Sequence, residues 1–111
     1  MLAATIASVA SNTMKKGDVL LTARYAGVQA AKQTASLVVE ANQVTLTDVE
    51  IRFEVGETSI DIEASVACVD RFAVEAQALC AVTVAALTIY DMCKSADRTM
   101  SIGALELQES T

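Results

Sequence analysis

Histidine and proline are absent from this chain, and aromatic residues make up only 4% of it. Without histidine no His-based catalytic triad and no His-ligated metal site can be built, and no metal or cofactor is expected. The lack of proline is unusual in a natural chain of 111 residues and compatible with an engineered one. With few aromatics the core falls to Ala, Val, Leu and Ile, although hydrophobic residues reach 53%, above the usual ~45–50%. Such small apolar side chains suit close helix and sheet packing, and burial between subunits. Cations are scarce as well. Lys and Arg number 8 against 14 Asp and Glu, a net charge of −6. That argues against a nucleic-acid partner, which needs a basic surface, but leaves room for a small anion held by two or three lysines. The three cysteines, Cys68, Cys80 and Cys93, lack metal-type spacing. They read as reduced core thiols of a cytoplasmic protein.

The length suits one domain, residues 1–111. Only one stretch approaches the ~18 uncharged apolar residues of a membrane span, and its polar ends shorten it, so no membrane is expected. The opening MLAATIASVA has no basic residue before its apolar part and reads as a helix start rather than a signal peptide.

That apolar stretch, Ala73 to Lys94, organises the chain. It has neither Gly nor Pro and is apolar on almost every side, so it predicts a helix covered all round. Asp70 is its expected cap. Before it, residues 3–12 predict a short helix, and TMKKG (Thr13–Gly17) a connector ending in glycine. Asp18 suits the N-cap of a helix over VLLTARYAGVQAAKQTASL, in which Gly27 implies close packing.

After Gln43 the period becomes two. Val49, Ile51, Phe53 and Val55 alternate with Asp48, Glu50, Arg52 and Glu54; Ile60, Ile62, Ala64, Val66 and Cys68 alternate with Asp61 and Glu63. These predict two half-buried strands paired as an antiparallel hairpin, with Gly56 at the first central position of a type II′ turn. TMSIGALELQ (Thr99–Gln108) predicts a third strand with a bulge at Gly103. Helices and strands in this order imply an α+β two-layer sandwich with helices on one face of an antiparallel sheet. It is similar to a ferredoxin-like unit without its first strand.

Chemistry concentrates at two places. Asp91 and Lys94 share a helix face near Tyr90. Lys16 precedes a helix N-terminus, where amides and dipole favour an anion. From spacing alone, a pocket for phosphate or diphosphate stands beside a plainer reading, a surface ion pair and a solvated loop.

KGDVLLTARYAGVQAAKQT (Lys16–Thr34) and AVTVAALTIYDMCK (Ala81–Lys94) resemble the molybdenum-cofactor biosynthesis protein C family, the cyclic pyranopterin monophosphate synthases. That family shows KGDV…AR.AGI.AAK.T and ALT.YDM.K. The resemblance implies conversion of 3′,8-cyclised dihydro-GTP into cyclic pyranopterin monophosphate with loss of diphosphate. It also implies homo-oligomers, trimers of dimers, with sites between subunits. Lys16, Asp91 and Lys94 take the family's catalytic positions, and Glu75 the first glutamate of its GVEMEAL segment. Asn42 replaces a histidine and Gln77 the second glutamate, so these two are left to bind substrate by hydrogen bonds. Ala76 replaces the intervening methionine. The family's N-terminal segment, its first strand and its Lys-Ser-Gly tail have no counterpart, and a bare sheet edge or gap is the expected result, one a neighbouring subunit could fill. An impaired or inactive enzyme is expected; the alternative is a non-catalytic, self-assembling protein on the same fold, natural or engineered.

Overall fold

The computed structural model describes residues 1–69 and 73–108. The elements are α1 (Ala3–Ala10), α2 (Val19–Lys32), α3 (Thr34–Leu37), β1 (Leu46–Val55), β2 (Ile60–Cys68) and α4 (Glu75–Cys93). The fold is α+β, consistent with a ferredoxin-like unit: β1 and β2 form an antiparallel sheet, and α2 and α4 pack together on its inner face.

α2 begins where expected. The Asp18 carboxylate accepts from the Leu21 N–H at 3.1 Å, so one of the free first-turn amides is satisfied. Val19, Ala23, Gly27, Ala30 and Ala31 are buried along one side. At Gly27 the helices approach so closely that a Cβ would overlap the Ile51 Cδ1 methyl and lie 2.9 Å from the Ala81 carbonyl. Small residues on both helices permit this contact. The helix does not run on to Leu37 as the periodicity predicts. The Thr34 hydroxyl donates back to the Ala30 and Ala31 carbonyls, at 2.8 and 3.1 Å. Such side-chain bonds compete with the helix ladder, and Gln33 leaves helical geometry at φ −105°, ψ 10°.

The strand alternation holds. Ile51 is buried, and Val49, Phe53, Ile60, Ile62, Ala64 and Val66 are half-buried against the helices. On the wet face Arg52 pairs with Glu50 and Glu63, exposed pairs that add little stability. The turn is not the expected one. Val55 faces Ile60, and the Gly56 N–H donates to the Ser59 carbonyl at 2.8 Å. Glu57 and Thr58 are therefore central, and Gly56 has no positive φ, which a type II′ turn would demand.

Two further expectations are corrected. Thr99–Gln108 is not a strand, and no bulge forms at Gly103: residues 101–108 are exposed and unpaired with any described residue. Alternation only suits a segment for a sheet; a neighbouring strand must supply the bonds. Nor is α4 covered all round within one chain. Gln77, Ala81, Ala85, Ile89, Met92 and Cys93 are buried, whereas Leu87 is 55% exposed and Tyr90 38%. By length and composition α4 could cross a membrane, but its buried stripe packs on α2 at Gly27 as a core helix does. The expected cap Asp70 lies outside the described residues.

Candidate functional site

The segment between α1 and α2 brings Lys16 onto the last turn of α4. Gly17 makes this possible: its φ of +107° is open to glycine and rare for other residues. The Lys16 ammonium donates to the Asp91 carbonyl at 3.3 Å, and Lys94 Nζ lies 2.8 Å from Asp91 Oδ1. Two ammonium groups 78 positions apart in sequence thus meet at one aspartate.

The Lys94 hydrogen bond and charge hold the Asp91 carboxyl below the usual carboxylate range, with Lys16 adding to the effect; Asp91 in turn raises the Lys94 ammonium. For a carboxyl lowered in the folded state, the pairing is present above the ordinary carboxylate pKa and fades as pH falls through the depressed value. The group is solvent-facing, so an arriving anion need displace only water and the exposed Asp91–Lys94 contact.

In the turn after α4, Asp97, which sequence reasoning passed over, is 2% exposed. It accepts from the Leu2 N–H at 2.7 Å, the Thr99 N–H at 2.8 Å and the Thr99 hydroxyl at 2.6 Å. These bonds hold its carboxyl well below the usual range and tie α1 to the turn after α4. The Asp-x-Thr spacing, an Asx-turn pattern, was the available signal.

At the other end of α4, Gln77 is 3% exposed. Its Nε2 donates to the Asn42 carbonyl at 3.0 Å. Only the amide nitrogen can face a carbonyl, so the orientation is determined, and Oε1 is left buried without a hydrogen-bond partner among the described residues. Gln77 and Asn42 line a cleft of about 310 Å³ with Lys32, Gln33 and Ser36. Glu75 is exposed on the first turn of α4, where a carboxylate complements the helix dipole.

The residues singled out from the sequence therefore fall into two groups. Lys16, Asp91 and Lys94 are together; Asn42 and Gln77 are together, with Glu75 on the same turn of α4 but not among the residues lining their cleft. The groups are not brought together within one chain. Gln77 and Asp91 stand fourteen positions apart on α4, roughly 21 Å at ~1.5 Å per residue. The tail group can hold an anion by charge, and the head group can recognise a polar edge by hydrogen bonds.

Comparison with known proteins matches the whole chain, residues 1–111, to the model of the MoaC family. A molybdenum cofactor biosynthesis bifunctional protein of Chlorobaculum tepidum is 49% identical over 100% of this chain and 36% of its own length. A cyclic pyranopterin monophosphate synthase of Roseiflexus sp. strain RS-1 is 49% identical over 93% of this chain and 66% of its own. One of Desulfitobacterium hafniense is 44% identical over 100% and 69%. This chain thus spans about a third of the bifunctional relative and about two thirds of the others.

Proposed function

Because this chain belongs to the MoaC family, we propose that it binds the phosphorylated, purine-derived substrate of cyclic pyranopterin monophosphate synthesis and turns it over slowly or not at all. The observation that carries this reading is the convergence of Lys16 and Lys94 on Asp91. Two ammonium groups gathered at one residue complement phosphate oxygens and would offset the charge of a departing diphosphate. Asp91 orients Lys94 and keeps it charged. The head group supplies hydrogen bonds to the heterocycle: Glu75 and the Gln77 Oε1 accept, and the Asn42 amide does both. Neither Asn42 nor Gln77 can exchange a proton near neutral pH, so general acid–base help, typically ~10²–10⁴-fold, is missing there.

The separation of the two groups along α4 supports a site completed between copies, the tail of one α4 beside the head of another, in a cytoplasmic homo-oligomer of paired subunits. The exposed Leu87 and Tyr90 supply apolar surface for such a contact. They equally favour a second reading, a purely structural assembly protein without ligand.

Titration with 3′,8-cyclised dihydro-GTP separates the two. Saturable binding that is lost in Lys94→Ala, with Tm within a degree or two of the parent, is expected. Absence of binding by the parent leaves the assembly reading, and binding retained by Lys94→Ala removes Lys94 from the site.

A further inference from the structure

α1 has no cap of its own. Leu2 at its N-terminus offers no side-chain acceptor, and its first turn holds no acidic residue. The free amides and positive dipole end that a helix presents there are met instead from 95 positions along the chain. Asp97 Oδ2 accepts from the Leu2 N–H at 2.7 Å, and the Thr5 hydroxyl, in a residue 4% exposed, bonds the same carboxyl. The other oxygen, Oδ1, is taken by Thr99.

Asp97 is fixed in turn to the lysine cluster. Its N–H donates to the Cys93 carbonyl at 3.0 Å, which locks it to the last turn of α4, where Asp91 and Lys94 stand. At its other end α1 holds the segment that carries Lys16. The Thr13 N–H donates to the Ser8 carbonyl at 2.9 Å, and the Gly17 N–H to the Met14 carbonyl at 3.1 Å. Ile6 and Val9 bury α1, but apolar contact is non-directional and lets a short helix roll or slide. Hydrogen bonds set direction. α2 uses the same device: the Arg24 Nε–H donates at 3.1 Å to the Ile51 carbonyl, on the border of β1 that faces away from β2.

The two lysines depend on this arrangement differently. Lys94 meets Asp91 three residues along one helix, whatever α1 does. Lys16 reaches the Asp91 carbonyl only across the fold. We propose that Asp97 is a positioning residue for the anion site: by holding α1 against the turn after α4, it sets where Lys16 stands over Asp91. The inference rests on the reading of Lys16 and Lys94 as phosphate-binding groups. It gives a buried carboxylate that touches no ligand a measurable effect on one lysine and none on the other.

Two variants break the Leu2–Asp97 bond from opposite sides. In Asp97→Asn one oxygen still serves both Thr99 donors, and the amide nitrogen then faces the Leu2 N–H, donor against donor. In Leu2→Pro the N–H is gone, while the Leu2 φ of −68° already suits proline. Inorganic diphosphate is titrated into the full chain, and the Asp91 carboxyl is followed against pH by carbon NMR without ligand. Each variant should weaken diphosphate binding roughly five-fold, the loss of one solvent-facing charged contact. Each should also move the Asp91 carboxyl up toward its ordinary range, since Lys16 no longer helps Lys94 to hold it down. Lys16→Ala should do the same, and combining it with Asp97→Asn should add nothing further.

A lowered Tm with diphosphate affinity and the Asp91 titration unchanged overturns the proposal, as does a loss that adds fully to that of Lys16→Ala. A parent that ignores diphosphate removes the phosphate reading alone. The Asp91 titration reports the placement of Lys16 without any ligand, and in that case decides the proposal by itself.

Discussion

A carboxylate at position 77 would face the Asn42 carbonyl with nothing to donate. Glutamine donates there and so forms a latch between α4 and the chain before β1. Gln77→Glu is therefore expected to destabilise the fold by roughly 1–3 kcal/mol, the cost of an unsatisfied buried group. The penalty should grow with pH as the buried carboxyl ionises, because burial raises its pKa and the folded state binds the proton more tightly. Urea unfolding at pH 5 and pH 8 measures this; equal midpoint losses at both would count against it. Gly27 makes a second residue-level case. A methyl there gains up to ~1 kcal/mol of helix propensity but meets Ile51 and the Ala81 carbonyl, an overpacking cost of about 1–3 kcal/mol. Gly27→Ala should lower stability on balance, read from the same unfolding curves. Gly27 and the Asp18 cap were legible in the sequence because each follows from one residue and its local frame. Asp97 was not, since its value depends on Leu2, which lies 95 positions earlier.

Among the elements, α4 shows where periodicity stops being informative. Its composition predicts burial on all sides, yet within one chain only the Gln77–Ala81–Ala85–Ile89 stripe and the last turn are covered. Composition records how apolar a helix is, not what covers it. Ala85 is fully buried beside Gly27, so a charge there would unfold the chain rather than separate copies. Leu87 is the informative position. Leu87→Glu should leave Tm nearly unchanged while dissociating the α4 contact and weakening ligand binding, as sedimentation and titration would report. Unaltered mass and affinity would exclude α4 as the meeting face. The strands were legible because alternation is a direct record of two faces. The α2–α3 break was not, because Thr34 acts through backbone carbonyls that any sequence presents. The third strand failed for a related reason: its pattern is present, but a partner cannot be read from the segment itself.

At the scale of the whole molecule the chain is looser than its length requires. Its radius of gyration is 14.6 Å, against about 13 Å for a compact domain of this size. The two clusters of candidate residues sit at opposite ends of the longest helix, which motif matching could not reveal, since it assigns positions without distances. Lys16, Asp91 and Lys94, which the resemblance picks out, are neighbours in the structure; the resemblance carried no information about how far they stand from Asn42 and Gln77.

Arg24 has a wider consequence. A sheet with two receptive borders can recruit chains on both sides without limit, the geometry of a filament. Here the guanidinium bonds the outward Ile51 carbonyl and stoppers the β1 border. Arg24→Ala should open that border and promote edge-to-edge polymerisation, visible as thioflavin-positive, sedimentable fibres within hours at concentrations where the parent stays clear. A variant that remains clear would mean that some other feature of β1 keeps that border closed.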